Sequence, residues 1–330
     1  MRAILCFVVL AATTAAPRAE DASALELPLR LSRLLDDGKW DQTPGGFRII
    51  TLSHLADGCA GQAFAHPSRA KEARVCVAAV LARGLRSMPA KRIDAVGDGL
   101  WLSHLNLILG DADQLGSCAD PALHRQVSAR LASMSLSDRH AHAPSYASAS
   151  ARWPADQAVT LASLARYDRA HGAHLSERPI AAWRAVVART PGLPVSEVTG
   201  ATSTSRLSRG CANAFLTRYT TEFAPDLARA WWLEFRGQWV QRVGPFTGLR
   251  EWGPGVERKA DVDSGPIVMG IGTAASALSI ASARAQGDEL FAVTLEASAA
   301  QVMALGVAGG VPTLVLADAI SFAGHWQPAR

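Results

Sequence analysis

The chain is poor in charge and in aromatic side chains: 19% of its 330 residues are Asp, Glu, Lys or Arg, and 6% are Phe, Trp or Tyr. So little charge, beside 49% hydrophobic residues, excludes a disordered polyelectrolyte and supplies a sizeable core. Dense basic runs are missing although the net charge is +4, so no nucleic-acid partner is expected. Cysteines number five, none in C-x-x-C spacing, which excludes zinc-ribbon and thioredoxin-type motifs. No G-x-S-x-G elbow, H-E-x-x-H pair or Walker loop is present. Repeats are absent too, so a helical solenoid lacks the period it would need. β-Branched alternation is confined to short pieces such as Phe47 to Thr51. The run Gly270-Ile271-Gly272-Thr273-Ala274-Ala275, with Glu296 beyond it, loosely matches a dinucleotide turn, but no βαβ unit surrounds it. His140-Ala141-His142 lacks a third ligand at a telling distance. Neither a cofactor nor a metal is therefore expected.

What is present begins with an export signal. Met1-Arg2 precedes an apolar, small-residue run from Ala3 to Ala16, with a charge change by Asp21. Residues 1–19 are read as a secretion signal, too short for a stable anchor, with Cys6 inside its apolar part. Residues 20–330 then form a single periplasmic or secreted domain. In an oxidising compartment Cys59, Cys76, Cys118 and Cys211 allow two disulfides in three pairings, and at least one bridge is expected. Two late stretches, Ser264–Ala283 and Phe291–Trp326, are nearly free of charge but rich in Ala, Gly and Ser. They are read as deeply buried helices, with no integral membrane anchor.

Apolar periodicity and punctuation predict helices near 22–37, 47–57, 69–86, 97–110, 119–134, 154–171, 176–190, 205–219, 225–240, 264–285, 287–303 and 312–324. Pro154 and Pro225 stand where a first turn tolerates proline. Gly84, Gly110, Gly172 and Gly287 stand where helices should stop. Twelve helices with mostly short breaks predict six hairpins, an all-α (α/α)6 toroid. Alternate helices, the even-numbered ones of this series, would be inner, and their N-termini would gather on one rim. Two longer irregular segments, Ser135–Arg152 and Gly237–Gly265, interrupt the pattern, and function is expected in the second, which is rich in aromatic and acidic residues.

The most informative segment is the second, with Glu251, Trp252 and the pair Asp261-Val262-Asp263 leading into the predicted helix at Ser264. An aspartate beside a helix N-terminus feels the positive end of the helix dipole and stays ionised, which suits a base or cation stabiliser; simple capping is the alternative. Trp153-Pro154-Ala155-Asp156 repeats the design, so Asp156 would face the same rim as a second carboxylate. Trp101 and His104 share a helical face, and His54 occupies a similar place on the helix before, as candidate ligand-contacting or merely packed residues. Arg209 and Asn213 open the 205–219 helix beside a Ser/Thr-rich run suited to anions or hydroxylated ligands.

Leu102-Ser103-His104-Leu105-Asn106, Trp153 to Val159 and Asp261 to Pro266 together resemble an uncharacterised group of bacterial α/α-toroid proteins. More distantly they resemble linalool dehydratase/isomerase-like proteins and other six-hairpin toroids. The resemblance spans roughly residues 95 to 290 and implies the fold more firmly than an activity. Toroids of this kind include glycan-cleaving enzymes and terpenoid cyclases or dehydratases. The cyclases use an Asp-rich acid motif, whereas Asp261-Val262-Asp263-Ser264 lacks a further Asp. A dehydratase-type activity would draw its acid and base from Asp156, His104 and Asp263.

The leading expectation is a hydrolase on a glycan, with Asp263 as base or stabiliser, Asp156 or Glu251 as acid, and Trp153 and Trp252 stacking on sugars. A lyase or isomerase for a small apolar alcohol predicts instead a closed, aromatic and aliphatic pocket. A non-catalytic periplasmic binding or scaffold protein is the third reading. The substrate would be a small molecule or a glycan, and oligomeric state is not readable.

Overall fold

A computed structural model describes residues 45–117, 120–189, 191–199, 206–304 and 311–327. The predicted signal at 1–19, the helix at 22–37, Cys118 and most of the Ser/Thr-rich run lie outside them. Eleven α-helices and two small hairpins make up the described chain: α1 (Gly45–Ala65), α2 (Ala70–Arg86), α3 (Gly99–Gln114), α4 (Pro121–Ser137), α5 (Pro154–His171), α6 (Glu177–Val187), α7 (Gly210–Thr220), α8 (Pro225–Gln238), the hairpin β1 (Val240–Val243) and β2 (Phe246–Leu249), the hairpin β3 (Ile267–Val268) and β4 (Ile271–Gly272), α9 (Thr273–Ala285), α10 (Glu289–Ala304) and α11 (Val311–His325).

The helices divide into two kinds, and the sequence explains why. In α3 every residue from Gly99 to Ala112 is buried, and in α5 the run Gln157 to Tyr167 is buried without a break. Such helices have no solvent face, so Ser, Thr, Asn and Ala can stand anywhere along them. By contrast α2 buries only Ala73, Cys76, Val77, Val80 and Gly84, a stripe at helical spacing. In α8 the same rule selects Ala228, Trp231, Trp232 and Phe235.

Six helices, α3 and α5 among them, pack in cyclic order. Helix α1 contacts α3, α3 contacts α5, and so on through α7 and α9 to α11, which returns to α1. The helices α2, α4, α8 and α10 lie against this inner set, and α6 packs on α4. Close approach relies on small residues: a Cβ on Gly58 of α1 would meet the Phe322 ring of α11 at 2.2 Å. Several buried polar side chains pair between neighbouring helices. Ser103 and Thr160 share a hydrogen bond of 2.7 Å, Asn106 donates to Ser163 at 3.1 Å, and Ser282 donates to the Ala214 carbonyl at 2.7 Å. One disulfide, Cys59–Cys76, joins α1 to α2, and Cys211 is a free thiol.

Near the C-terminal ends of the inner helices sits a charged cluster. Arg166 donates to Asp57 (2.7 Å), to Asp111 (2.8 Å) and to both oxygens of Glu222, while Arg218 reaches Glu222 at 3.0 Å. Burial alone would raise Asp57, but the Arg166 guanidinium outweighs it and holds that acid ionised. Asp111 is pushed well up by burial and then by the charge of Asp57, with Arg166 opposing the shift.

One predicted element is corrected. The helix expected over 264–285 starts only at Thr273. Ile267, Val268 and Ile271 are β-branched or flank a turn whose Met269 and Gly270 both have positive φ (50° and 83°), the geometry of a tight two-residue hairpin. Ser264 is therefore not an N-cap and Asp263 does not precede a helix. The stretch Ser264–Ala283 is therefore not one helix, and no described helix is long and apolar enough to cross a membrane.

Candidate functional site

The N-terminal parts of the inner helices surround a cavity of about 600 Å³. Its wall is mostly aliphatic and aromatic, with Phe47 and Ile50 from α1, Leu100 from α3, Phe215 from α7, and Leu278 and Ile320 from α9 and α11. Its titratable groups include Tyr146, Asp156, Arg209, Asp261 and Asp263.

Asp156 comes from the first turn of α5. The irregular segment before α5 is laid over the start of α3, where the Gly99 and Leu100 amides donate to the carbonyls of Pro144 (2.8 Å) and Ser145 (3.1 Å). That contact satisfies two helix-end donors. It requires glycine at position 99, since a Cβ there would stand 2.6 Å from the Pro144 oxygen. The segment so placed lets the Ser145 hydroxyl donate to Asp156 Oδ2 at 2.5 Å. Burial raises the Asp156 carboxyl to about 6, the Ser145 hydrogen bond opposes this, and the charge of nearby Asp263 adds to it. Tyr146 sets its ring edge-on to Trp153 at 6.0 Å. Burial, then Asp156 and Asp263, raise its phenol, which stays protonated as a donor.

Arg209 organises the opposite side. Its Nε donates to Glu251 at 2.8 Å, one Nη to Asp261 at 2.7 Å, and the other lies 3.8 Å from Asp263 Oδ2. Its guanidinium also stands 5.0 Å over the Trp252 ring. Asp261 is a turn-former: one oxygen accepts from the amides of Ser264 (2.9 Å) and Asp263 (3.1 Å). Burial would raise it, but Arg209 and those amides prevail and hold it low. Asp263, 58% exposed at the mouth, is raised by its surroundings, a shift that Arg209 opposes. Glu251 is fully buried and accepts from the Cys211 amide and thiol at 3.2 Å each. A cysteine in a helix first turn is ordinarily acidified; here burial and then Glu251 push the thiol well up, so Cys211 lines the cavity as a neutral group.

Asp156, Asp261, Asp263, Trp153 and Arg209 thus share one cavity. Other expected site residues do not line it. Trp101 is 8% exposed and Trp252 5%, the latter behind Arg209. His104 has no exposure; its Nδ1 pairs with the Ser53 hydroxyl at 2.6 Å, and burial lowers it to about 3, which removes it as an acid. His54 bonds the Ile50 carbonyl through Nδ1 at 2.8 Å, and Phe215 packs against both histidines. Asn213 is 1% exposed. Glu251 holds Arg209 and Cys211 in place. Sequence reasoning missed Ser145 and Tyr146, whose only signal is their place in a long segment just before a Pro-initiated helix.

No model of a known protein family matches the chain, and no curated protein is significantly similar to it.

Proposed function

We propose that the chain is an exported (α/α)6 toroid enzyme that breaks or moves a C–O bond in a small, largely apolar molecule by acid–base catalysis. The cyclic packing of six inner helices supports the toroid, and the Cys59–Cys76 bridge supports export. One observation carries the chemistry: a carboxyl raised to about 6 faces an apolar chamber, with a second carboxylate near enough to act on it electrostatically.

Protonated Asp156 donates to the departing oxygen, with Ser145 holding its other proton-free oxygen in place and Tyr146 as a neighbouring donor. Asp263, whose ionised form Arg209 favours against the effect of burial, takes the proton from the adjacent carbon in elimination, or stabilises the electron-poor carbon in isomerisation. In isomerisation the departed water rejoins the rearranged carbon and gives up a proton. The apolar wall excludes water that would otherwise capture such a carbon. The glycan-hydrolase reading uses the same pair and gains from Trp153 beside Tyr146 at the mouth. It loses the aromatic platforms expected of Trp101 and Trp252, which are buried away from the cavity. Incubating the full chain with short terpenoid alcohols and, separately, with oligosaccharides decides between them. Alkene or rearranged alcohol, absent with Asp156→Asn, is the expected result; sugar release would overturn the apolar-substrate reading, and turnover unchanged by the substitution would overturn the role of Asp156.

A further inference from the structure

At the end of the inner helices remote from the cavity, three side chains from three helices converge. Asp113 stands in the last turn of α3, His124 in the first turns of α4, and His171 closes α5. Asp113 Oδ2 lies 2.6 Å from His124 Nδ1 and 2.7 Å from His171 Nε2, and the two nitrogens are 3.4 Å apart. We propose that these residues form a divalent transition-metal site of the zinc type, with a fourth position open to water.

Geometry is the first support. A triangle with those edges has a circumradius of about 1.7 Å, so a point roughly 2.0 Å from all three atoms, the usual Zn–N and Zn–O distance, lies about 1 Å out of its plane. An ion there replaces the protons now shared between carboxylate and imidazoles, and the two short edges open slightly. Ligand type is the second: two imidazoles and one carboxylate suit zinc and its neighbours and disfavour magnesium or calcium, which take oxygen. The third is rigidity. Tyr167 packs against His124 at 4.8 Å and against His171 at 4.5 Å, fixing both rings. The fourth is field: α3 and α5 both end here, so two negative dipole ends face the site against the single positive start of α4, and the balance favours a cation. His124 is fully buried and Asp113 11% exposed, whereas His171 is 29% exposed, which leaves the solvent side as the route of entry.

The test uses untagged full-length protein, stripped with chelator and titrated with Zn²⁺ by calorimetry, with Co²⁺ absorption as a second readout. Wild type should bind one ion and give the intense visible bands of a low-coordinate Co²⁺ site. His171→Ala, a partly exposed position that the fold tolerates, should weaken binding by more than the ~10–100-fold that loss of an outer-sphere partner costs, with its helical circular dichroism unchanged. His174→Ala, three residues on and paired with Glu177, should bind as wild type. Absence of binding in wild type, undiminished binding in His171→Ala, loss of binding in His174→Ala, or equal affinity for Mg²⁺ would each overturn the proposal.

Discussion

At the scale of single residues, the site turns on a carboxyl that the fold makes harder to ionise. Because Asp156 is raised in the folded chain, the native state binds that proton more tightly than the unfolded state. Its contribution to stability is therefore complete below about pH 4 and is lost as pH rises through about 6. Asp156→Asn should stabilise the protein by about 1–2 kcal/mol at pH 7.5 and flatten the pH dependence of Tm between pH 4 and 6, checked by thermal melts across that range. The same substitution should reduce kcat/KM by about 10²–10⁴, and wild-type kcat/KM should fall as pH rises above about 6, checked by a pH–rate profile. Pro154 made Asp156 readable in the sequence, because a proline at the first helical turn fixes where the helix begins and which acid lies just inside it. Arg209 was readable only as a cation near a helix start. Its four-way contact joins residues more than 40 positions apart, and no local pattern encodes that. His104 shows the converse: its place on a helical face beside Trp101 made it a candidate acid or base, but its ring is buried against Ser53 and Phe215 outside the cavity.

At the scale of elements, the helices were readable where amphipathic stripes or proline starts mark them, as in α5 and α8. The start of α9 was not, because Ser264-Gly265-Pro266 imitates a cap followed by a first-turn proline. What decides the matter is the pair of positive φ angles at Met269 and Gly270, stabilised by pairing of β4 with its neighbours, a tertiary cause invisible to periodicity. The segment over the start of α3 depends on close backbone approach. Gly99→Ala should cost about 1–3 kcal/mol by overpacking against Pro144 and should lower activity further by displacing Ser145 and Tyr146 from Asp156. Denaturant melts and kinetics on the same sample check both effects; unchanged kinetics with lowered stability would show that the segment has no part in the site.

At the scale of the whole molecule, the two ends of the inner helices have been given opposite tasks. The N-terminal ends hold the apolar chamber, and the other end is tied by Arg166, Arg218, Asp57 and Glu222. Arg166→Ala should destabilise the protein by about 3–5 kcal/mol, measured by urea melts, because it strands buried acids without a counter-charge. The Cys59–Cys76 bridge closes a loop of 17 residues, so Cys76→Ser should cost about 3 kcal/mol by the same measurement. The alternation of buried and amphipathic helices was visible in composition, since inner helices need no polar face and are written in Ala, Ser and Leu. The residues that lock the charged end of the inner helices were not, because an arginine in a last turn reads equally well as a solvated one.

The contact between α11 and α1 carries a further consequence for how the protein comes into being. Until α11 is in place, the flanks of α1 and α9 that it covers lack that neighbour. Closing this circuit of contacts is a long-range event that follows the local helix pairings, and the molecule commits late.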